Sequence, residues 1–245
     1  MHADYLMHGH YQLLRHHFQG AKKLRFFLDQ DSGLLGACMG AFADRVRTRT
    51  ADIALVDIQK NLTVNARNSA FANAAAWFKI ERARFPALSD RQARSAIMAE
   101  IIAATRSTTA TGRLFDVWIE SPFPDQAEPG KRLRFITDLG DYDAGHAANL
   151  LLKATLWPVD TAFNQIRRRL SLCERPVTSR RRANRLWHIY APYEPSMLIK
   201  ALTVFRVWHN YIWIGEKTNT TAAEKIKLAQ GQIRIQDILS FSKTV

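Results

Sequence analysis

Hydrophobic positions first become dense at Leu24, Phe26, Phe27 and Leu28, a run of strand length set between Lys23 and the polar group Asp29-Gln30-Asp31. Ser32 and Gly33 then turn the chain into a stretch in which Leu34, Leu35, Ala37, Met39, Ala41 and Phe42 predict a packed helix over 33–46. Upstream, Leu13, Leu14 and Phe18 share one side of an amphipathic helix predicted over 10–18, which ends before Gly20. Residues 51–58 partly alternate and predict a second strand. The order is thus helix, strand, helix, strand, the first strand reading as a core strand.

From 63 to 106 the chain is rich in Ala and Arg. Ser89 with Gln92 gives a capping-box start to a helix carrying Ile97, Ile101 and Ile102. Residues 107–130 hold turn signals around an apolar patch at 114–119. Leu133, Phe135 and Ile136 predict a strand ending near Asp138, followed by a helix over 144–154 that stops before Trp157-Pro158. A further helix is predicted to start at Asp160, with Phe163, Ile166, Leu170 and Cys173 on one face. A last long helix runs from Pro195 to about Trp213, with Leu198, Ala201, Leu202, Phe205, Trp208 and Ile212 toward a core and Gly215 past its end. The pattern divides into a first part of an α/β core (1–62), a mostly helical insertion and loop (63–130), a second part of the core with an acid-bearing basic helix (131–185), and a helical C-terminal segment (186–245).

Composition changes this picture in one respect. A formal charge of +13 and a pI near 10.1 point to a polyanionic partner, and nucleic acid is favoured over a membrane because no apolar run reaches the ~20 residues a spanning helix needs. The start of the chain has neither the basic segment nor the apolar core of a secretory signal. Cys38 and Cys173 are far apart and lie in no zinc-binding pattern, so they read as reduced core thiols.

Two acids stand out by position. Asp29 follows the first strand at a strand-to-helix mouth, where a carboxylate can hold a divalent ion. The competing reading is an Asp-Ser-Gly turn that ends the strand and caps the helix. Asp160 precedes Arg167 by seven residues, two helical turns, so both fall on one face; the competing reading makes Asp160 an N-cap. Arg167, Arg168, Arg169, Arg175, Arg180, Arg181, Arg182 and Arg185 crowd a span whose one acid beyond Asp160 is Glu174. Such a run binds phosphates by counterion release, or else it is a solvated cationic face.

The strand ending in Asp29, the acid-started helix with arginine seven positions on, and the run Phe205-Arg206-Val207-Trp208-His209-Asn210-Tyr211 resemble bacterial insertion-sequence transposases. The segment from Thr218 to Ala223, then Lys227-Leu228-Ala229, is similar to one reading Thr-Pro-Ala and Gly-Leu-Ala in those proteins; Thr221 stands in place of the proline, and the expected Arg-Leu-Gly is missing. The resemblance implies an RNase H-like fold with three catalytic acids. Asp29 would be the second, with Asp31 as fallback and Asp138 as a weaker candidate. Asp160 would be the third, and Arg167, Arg168, Arg169, Arg181 and Arg182 would contact DNA. It further implies Mg2+ or Mn2+ held by Asp29 and Asp160, cleavage and strand transfer on element ends and target DNA, a homo-oligomer on DNA, no membrane partner, and a bacterial cytoplasmic, nucleoid-associated location. An RNase H-like sheet opens with three antiparallel strands that carry the first acid, and only about ten residues precede the first predicted helix, with Asp4 the sole acid there. The expectation is therefore a partial fold lacking the first strands, inactive alone.

Two rivals use the same residues. In one, the arginine span together with Trp187, Tyr190 and Tyr193 holds a nucleic-acid strand without catalysis, although those aromatics also suit core packing. In the other, histidines near the start serve a hydrolase, but no Gly-x-Ser-x-Gly elbow accompanies His8, His10, His16 and His17.

Overall fold

The computed structural model describes residues 2–59, 61–115, 117–123, 128–174, 177–178, 185–187, 194–215 and 218–240, with backbone alone for 2–3, 177–178 and 185–187. The chain divides into two compact units, Met1–Pro158 and Val159–Val245.

The first unit is mixed α/β. Helix α1 (His2–His17) begins eight residues earlier than the pattern predicts, because Met7 and Tyr11 as well as Leu14 pack on the next helix and strand. Strand β1 (Leu24–Leu28) and helix α2 (Ser32–Arg47) fall where expected. Strand β2 (Ala51–Asp57) lies parallel to β1, Leu24 opposite Ala51 and Leu28 opposite Leu55. Strand β3 (Trp118–Glu120) and strand β4 (Arg132–Phe135) complete a four-stranded sheet of order β1-β2-β4-β3, with β4 antiparallel to both of its neighbours. The core strand expected at 24–28 is therefore an edge strand, in which only Leu28 is buried. The central position belongs to β2, whose first six residues are all buried.

Period-two alternation on β2 sorts two cores. Ile53 and Leu55 face α1 and α2 through Tyr11, Ala37, Cys38, Ala41 and Phe42. Ala54 and Val56 face the other layer, built by helix α4 (Asp90–Thr108) and helix α5 (Ala144–Lys153) with Met98, Ile102, Ala147, Ala148, Leu150 and Leu151. Each such Val, Leu, Ile or Phe contributes roughly 1.5–3 kcal/mol by burial. The Ser89–Gln92 capping box forms as predicted, the Ser89 N–H donating to Gln92 Oε1 at 2.9 Å. Helix α3 (Val64–Arg82) buries nothing and leaves Val64, Phe71 and Ile80 exposed.

Helix α6 (Trp157–Arg169) starts three residues before the predicted boundary. Pro158 occupies its first turn, where a missing N–H costs nothing because first-turn N–H groups have no intrahelical acceptor. Beyond α6 the second unit holds a 3-10 turn (Ser171–Cys173) and a two-residue β5 (Val177–Thr178) antiparallel to β6 (Arg185–Trp187). Helix α7 (Pro195–Val207) runs on as a π turn over Trp208–Ile212, followed by the short helices α8 (Ala222–Lys225) and α9 (Ile235–Leu239). The apolar face predicted along 195–213 is half-buried throughout, and Phe163, expected on a packed face, is 53% exposed. Among the described residues no helix is long and apolar enough to cross a membrane.

Candidate nucleic-acid interface and acid site

Asp29 leaves β1 at the carboxyl end of the parallel pair, the end at which open α/β sheets place their ligand crevice. It is half-buried; its Oδ1 accepts the Gln30 N–H at 2.8 Å and its carbonyl accepts the Asp31 N–H at 2.7 Å. The capping role falls to Asp31, whose Oδ1 accepts the Leu34 N–H at 2.9 Å as N-cap of α2. The capping reading of the Asp29-Gln30-Asp31 group is thus met at Asp31, which leaves the Asp29 carboxylate outside the helix cap. Asp57 ends β2 at the same edge and was not singled out from the sequence, although it ends an apolar strand just as Asp29 does; Arg132 Nε donates to its Oδ2 at 2.6 Å. Register sets Asp29 beside Val56, so alternation directs Asp29 and Asp57 toward opposite faces.

Asp160 is exposed and lies inside the first turn of α6, so it is not the N-cap. A carboxylate there complements the positive end of the helix dipole. The polar anchor at this end is Glu128, a residue the sequence gave no reason to single out. Its buried Oε1 accepts from the Thr155 hydroxyl at 2.6 Å, the Leu156 N–H at 2.7 Å and the Trp157 N–H at 3.1 Å, while Lys131 Nζ lies 3.2 Å from Oε2. Asp160 and Arg167 therefore share one uninterrupted helix, two turns apart on one face.

The arginines at the end of α6 differ from one another. Arg167 is half-buried and donates to Asn164 Oδ1 at 2.7 Å, and Arg168 is exposed. Arg169 lies over the rings of Trp208 and Trp213, 5.1 and 5.6 Å from their centroids. Phe205 and Trp213 in turn stack on His209 at 5.6 and 5.3 Å. Desolvation, with smaller contributions from Arg169 and Lys225, holds His209 below the usual imidazole range, which keeps it uncharged inside the aromatic stack. The run of arginines thus divides: Arg169 packs on Trp208 and Trp213 by cation–π contact, whereas Arg167 bonds Asn164 and Arg168 is exposed. Arg181 and Arg182 lie outside the described residues.

Two further acids of the first unit, Asp138 and Asp52, are buried and paired with cations. Asp138, 0% exposed, takes Arg106 at 3.0 Å and the N–H groups of Leu114 at 3.2 Å, Gly140 at 2.9 Å and Tyr142 at 3.5 Å. That is the bonding of a structural carboxylate, and it removes Asp138 as an alternative site acid. Asp52, at the amino end of β2, accepts Lys23 Nζ at 2.8 Å and the Tyr142 hydroxyl at 2.7 Å on Oδ1. Its Oδ2 has no well-directed hydrogen bond and faces His146 Nε2 at 3.3 Å and Arg25 Nε at 3.8 Å. Because Tyr142 donates to Asp52, the Thr137 hydroxyl donates to Tyr142, 2.7 Å away. Burial pushes the Tyr142 phenol up, the Thr137 bond opposes this, and the Asp52 carboxylate adds to the rise. This network joins β1, β2 and α5 at the edge of the sheet opposite Asp29.

Asp29 lies in the first unit and Asp160 in the second. Their carboxylate oxygens are the hard donors that Mg2+ or Mn2+ takes. Among the described residues, however, no group of three or more His, Cys, Asp or Glu side chains is placed to hold a metal ion. The described residues therefore do not form a metal centre by themselves, and what they offer chemically is a cationic helix end and a strand-end carboxylate. No protein-family model, curated protein or solved structure matches the chain.

Proposed function

We propose that this chain is a DNA-binding part of an insertion-sequence transposase with a partial RNase H-like core, and that Asp29 and Asp160 are two of its three site acids. The observation that carries the reading is α6, which holds Asp160 and Arg167 two turns apart on one face and ends in Arg167-Arg168-Arg169. The parallel β1–α2–β2 unit, with Asp29 at its carboxyl end, supports it as the matching piece of such a sheet. Binding is to phosphates and is insensitive to sequence, since a cluster of cations at a helix end neutralises phosphates without reading base edges. With two acids assigned, the chain alone binds DNA and does not carry out strand transfer.

The test is binding to duplex DNA over a salt series, followed by incubation with Mg2+ or Mn2+. The reading predicts affinity that falls steeply with salt, by a log–log slope of about −0.9 for each phosphate neutralised. Binding indifferent to salt would overturn it. Robust cleavage lost in Asp29→Ala would place all three acids within these 245 residues. A second reading, a basic nucleic-acid-binding module without catalysis, rests on the same arginine-rich end of α6; it predicts the same salt dependence with no effect of Asp29→Ala in any assembly.

A further inference from the structure

A cavity of about 590 Å³ opens in the first unit between the start of α4, the segment after β3, the start of β4 and the end of α5. Its size falls in the range of small-ligand sites, about 300–1,000 Å³. Arg91, Arg94, Lys131 and Lys153 line it with Ser121 and Phe123, and among the described residues no carboxylate lines it. Lys131 is already committed, bonded to the Ala154 carbonyl at 2.7 Å and paired with buried Glu128. Arg94 is pre-positioned: its guanidinium lies 4.4 Å from the Phe78 ring centroid and 4.8 Å from that of Phe123. Ring contact holds the plane of the guanidinium while its N–H edges can face two oxygens of a phosphate. Three cations gathered at one concavity, with no acid among the described lining residues, repel one another unless an anion joins them.

From this arrangement we infer that the cavity binds a phosphate ester, its phosphate on Arg91, Arg94 and Lys153 and its organic body against Phe123 and Leu152. The ester is either a free nucleotide or the terminal nucleotide of a DNA strand, since both present the same chemistry. The site contains neither Asp29 nor Asp160 and none of the α6 arginines, so it stands or falls independently of the proposed transposase reading.

The test titrates the full chain with dAMP, inorganic phosphate and a 5′-phosphorylated single strand, following heat release and melting temperature. Arg91→Ala with Lys153→Ala is expected to weaken dAMP binding at least about tenfold, as two charge-assisted contacts are lost. Phe123→Leu is expected to weaken dAMP but not inorganic phosphate, whereas Arg167→Ala with Arg168→Ala leaves dAMP binding unchanged. Displacement of dAMP by the strand, or strand binding weakened by the Arg91 and Lys153 changes without dAMP binding, identifies the strand as the source. Binding of dAMP that the strand does not displace identifies the free nucleotide. No binding of any of the three probes, or affinities unmoved by the Arg91 and Lys153 pair while circular dichroism reports an intact fold, would overturn the site. Equal affinity for inorganic phosphate and dAMP would overturn the organic half of the assignment.

Discussion

The two units of this chain answer charge and burial in opposite ways. Residues 1–158 carry 20 Lys and Arg against 16 Asp and Glu, whereas residues 159–245 carry 15 against 6, so +9 of the +13 sits in the smaller unit. The first unit sinks Asp52, Asp138 and Glu128 beneath its surface and gives each a cation and N–H or O–H donors, around two apolar cores. In the second, the only buried residues among those described are Thr221 and Ala223, while Ile199, Val204 and Leu239 are more than 60% exposed. The first unit is stabilised from within. The second is short of both apolar burial and counter-charge, and in the proposed reading DNA phosphates would supply the latter.

The largest effect expected from this contrast is at Asp138. Asp138→Ala leaves Arg106 and three N–H groups without their shared acceptor, and about 3–5 kcal/mol of unfolding free energy should be lost in denaturant titration. Phe205→Ala in the second unit should leave the main unfolding transition of the first unit within about 1 kcal/mol, because it removes a half-buried ring rather than core. Equal losses at the two sites would erase the distinction. Hydrogen exchange sharpens the same point: amides of β2 and of α5 should be the slowest in the chain, and those of α7 faster by orders of magnitude.

Next in size is DNA affinity. Arg167→Ala with Arg168→Ala should reduce the salt slope by about two and weaken binding to all sequences alike, whereas Arg169→Ala should act mainly by lowering the stability of the second unit. A loss of sequence preference in the first variant would contradict a phosphate-directed role.

How far these regions could be read from the sequence also differs. Strand β1, helix α2, the Ser89–Gln92 cap and the helix before Trp157 are legible because a local apolar period and a local cap decide them. The rank of β1 as an edge strand was not legible, since Leu-Arg-Phe-Phe-Leu is as apolar as a central strand and only its pairing distinguishes it. The start of α6 was misplaced because its first turn is fixed ahead of Asp160. Glu128, some thirty residues upstream, meets the Leu156 and Trp157 N–H groups, and Thr155 caps the Trp157 N–H at 3.1 Å just before Pro158. Of the site, the positions of Asp29 and of the α6 arginines were legible, but the division of labour between Arg168 and Arg169 depends on Trp208 and Trp213, about forty residues away.

Smaller effects separate the two thiols and report the Asp31 helix cap. Burial pushes the Cys38 thiol from 9.0 up to about 12. The folded state therefore retains this proton more tightly than the unfolded chain. The corresponding stability is complete below pH 9 and is lost as pH rises through about 12. Melting temperature should fall through that window, and less so in Cys38→Ala. At pH 8, iodoacetamide should label half-buried Cys173 and spare Cys38 until the protein unfolds. Asp31→Ala should cost about 1 kcal/mol as a lost helix cap, with DNA binding unaffected.

The proposed transposase reading requires Asp29 and Asp160 to come within reach of a pair of metal ions about 3.5–4 Å apart. Asp29→Cys and Asp160→Cys, combined on a Cys173→Ser background and treated with the shortest bismaleimide on the DNA-bound chain, measures this directly. Arg49→Cys with Asp141→Cys, at a pair 3.1 Å apart, serves as the positive control. The account predicts a cross-link between positions 29 and 160 as efficient as the control. A control that closes while 29 and 160 stay unlinked would contradict it and leave only the basic nucleic-acid-binding module.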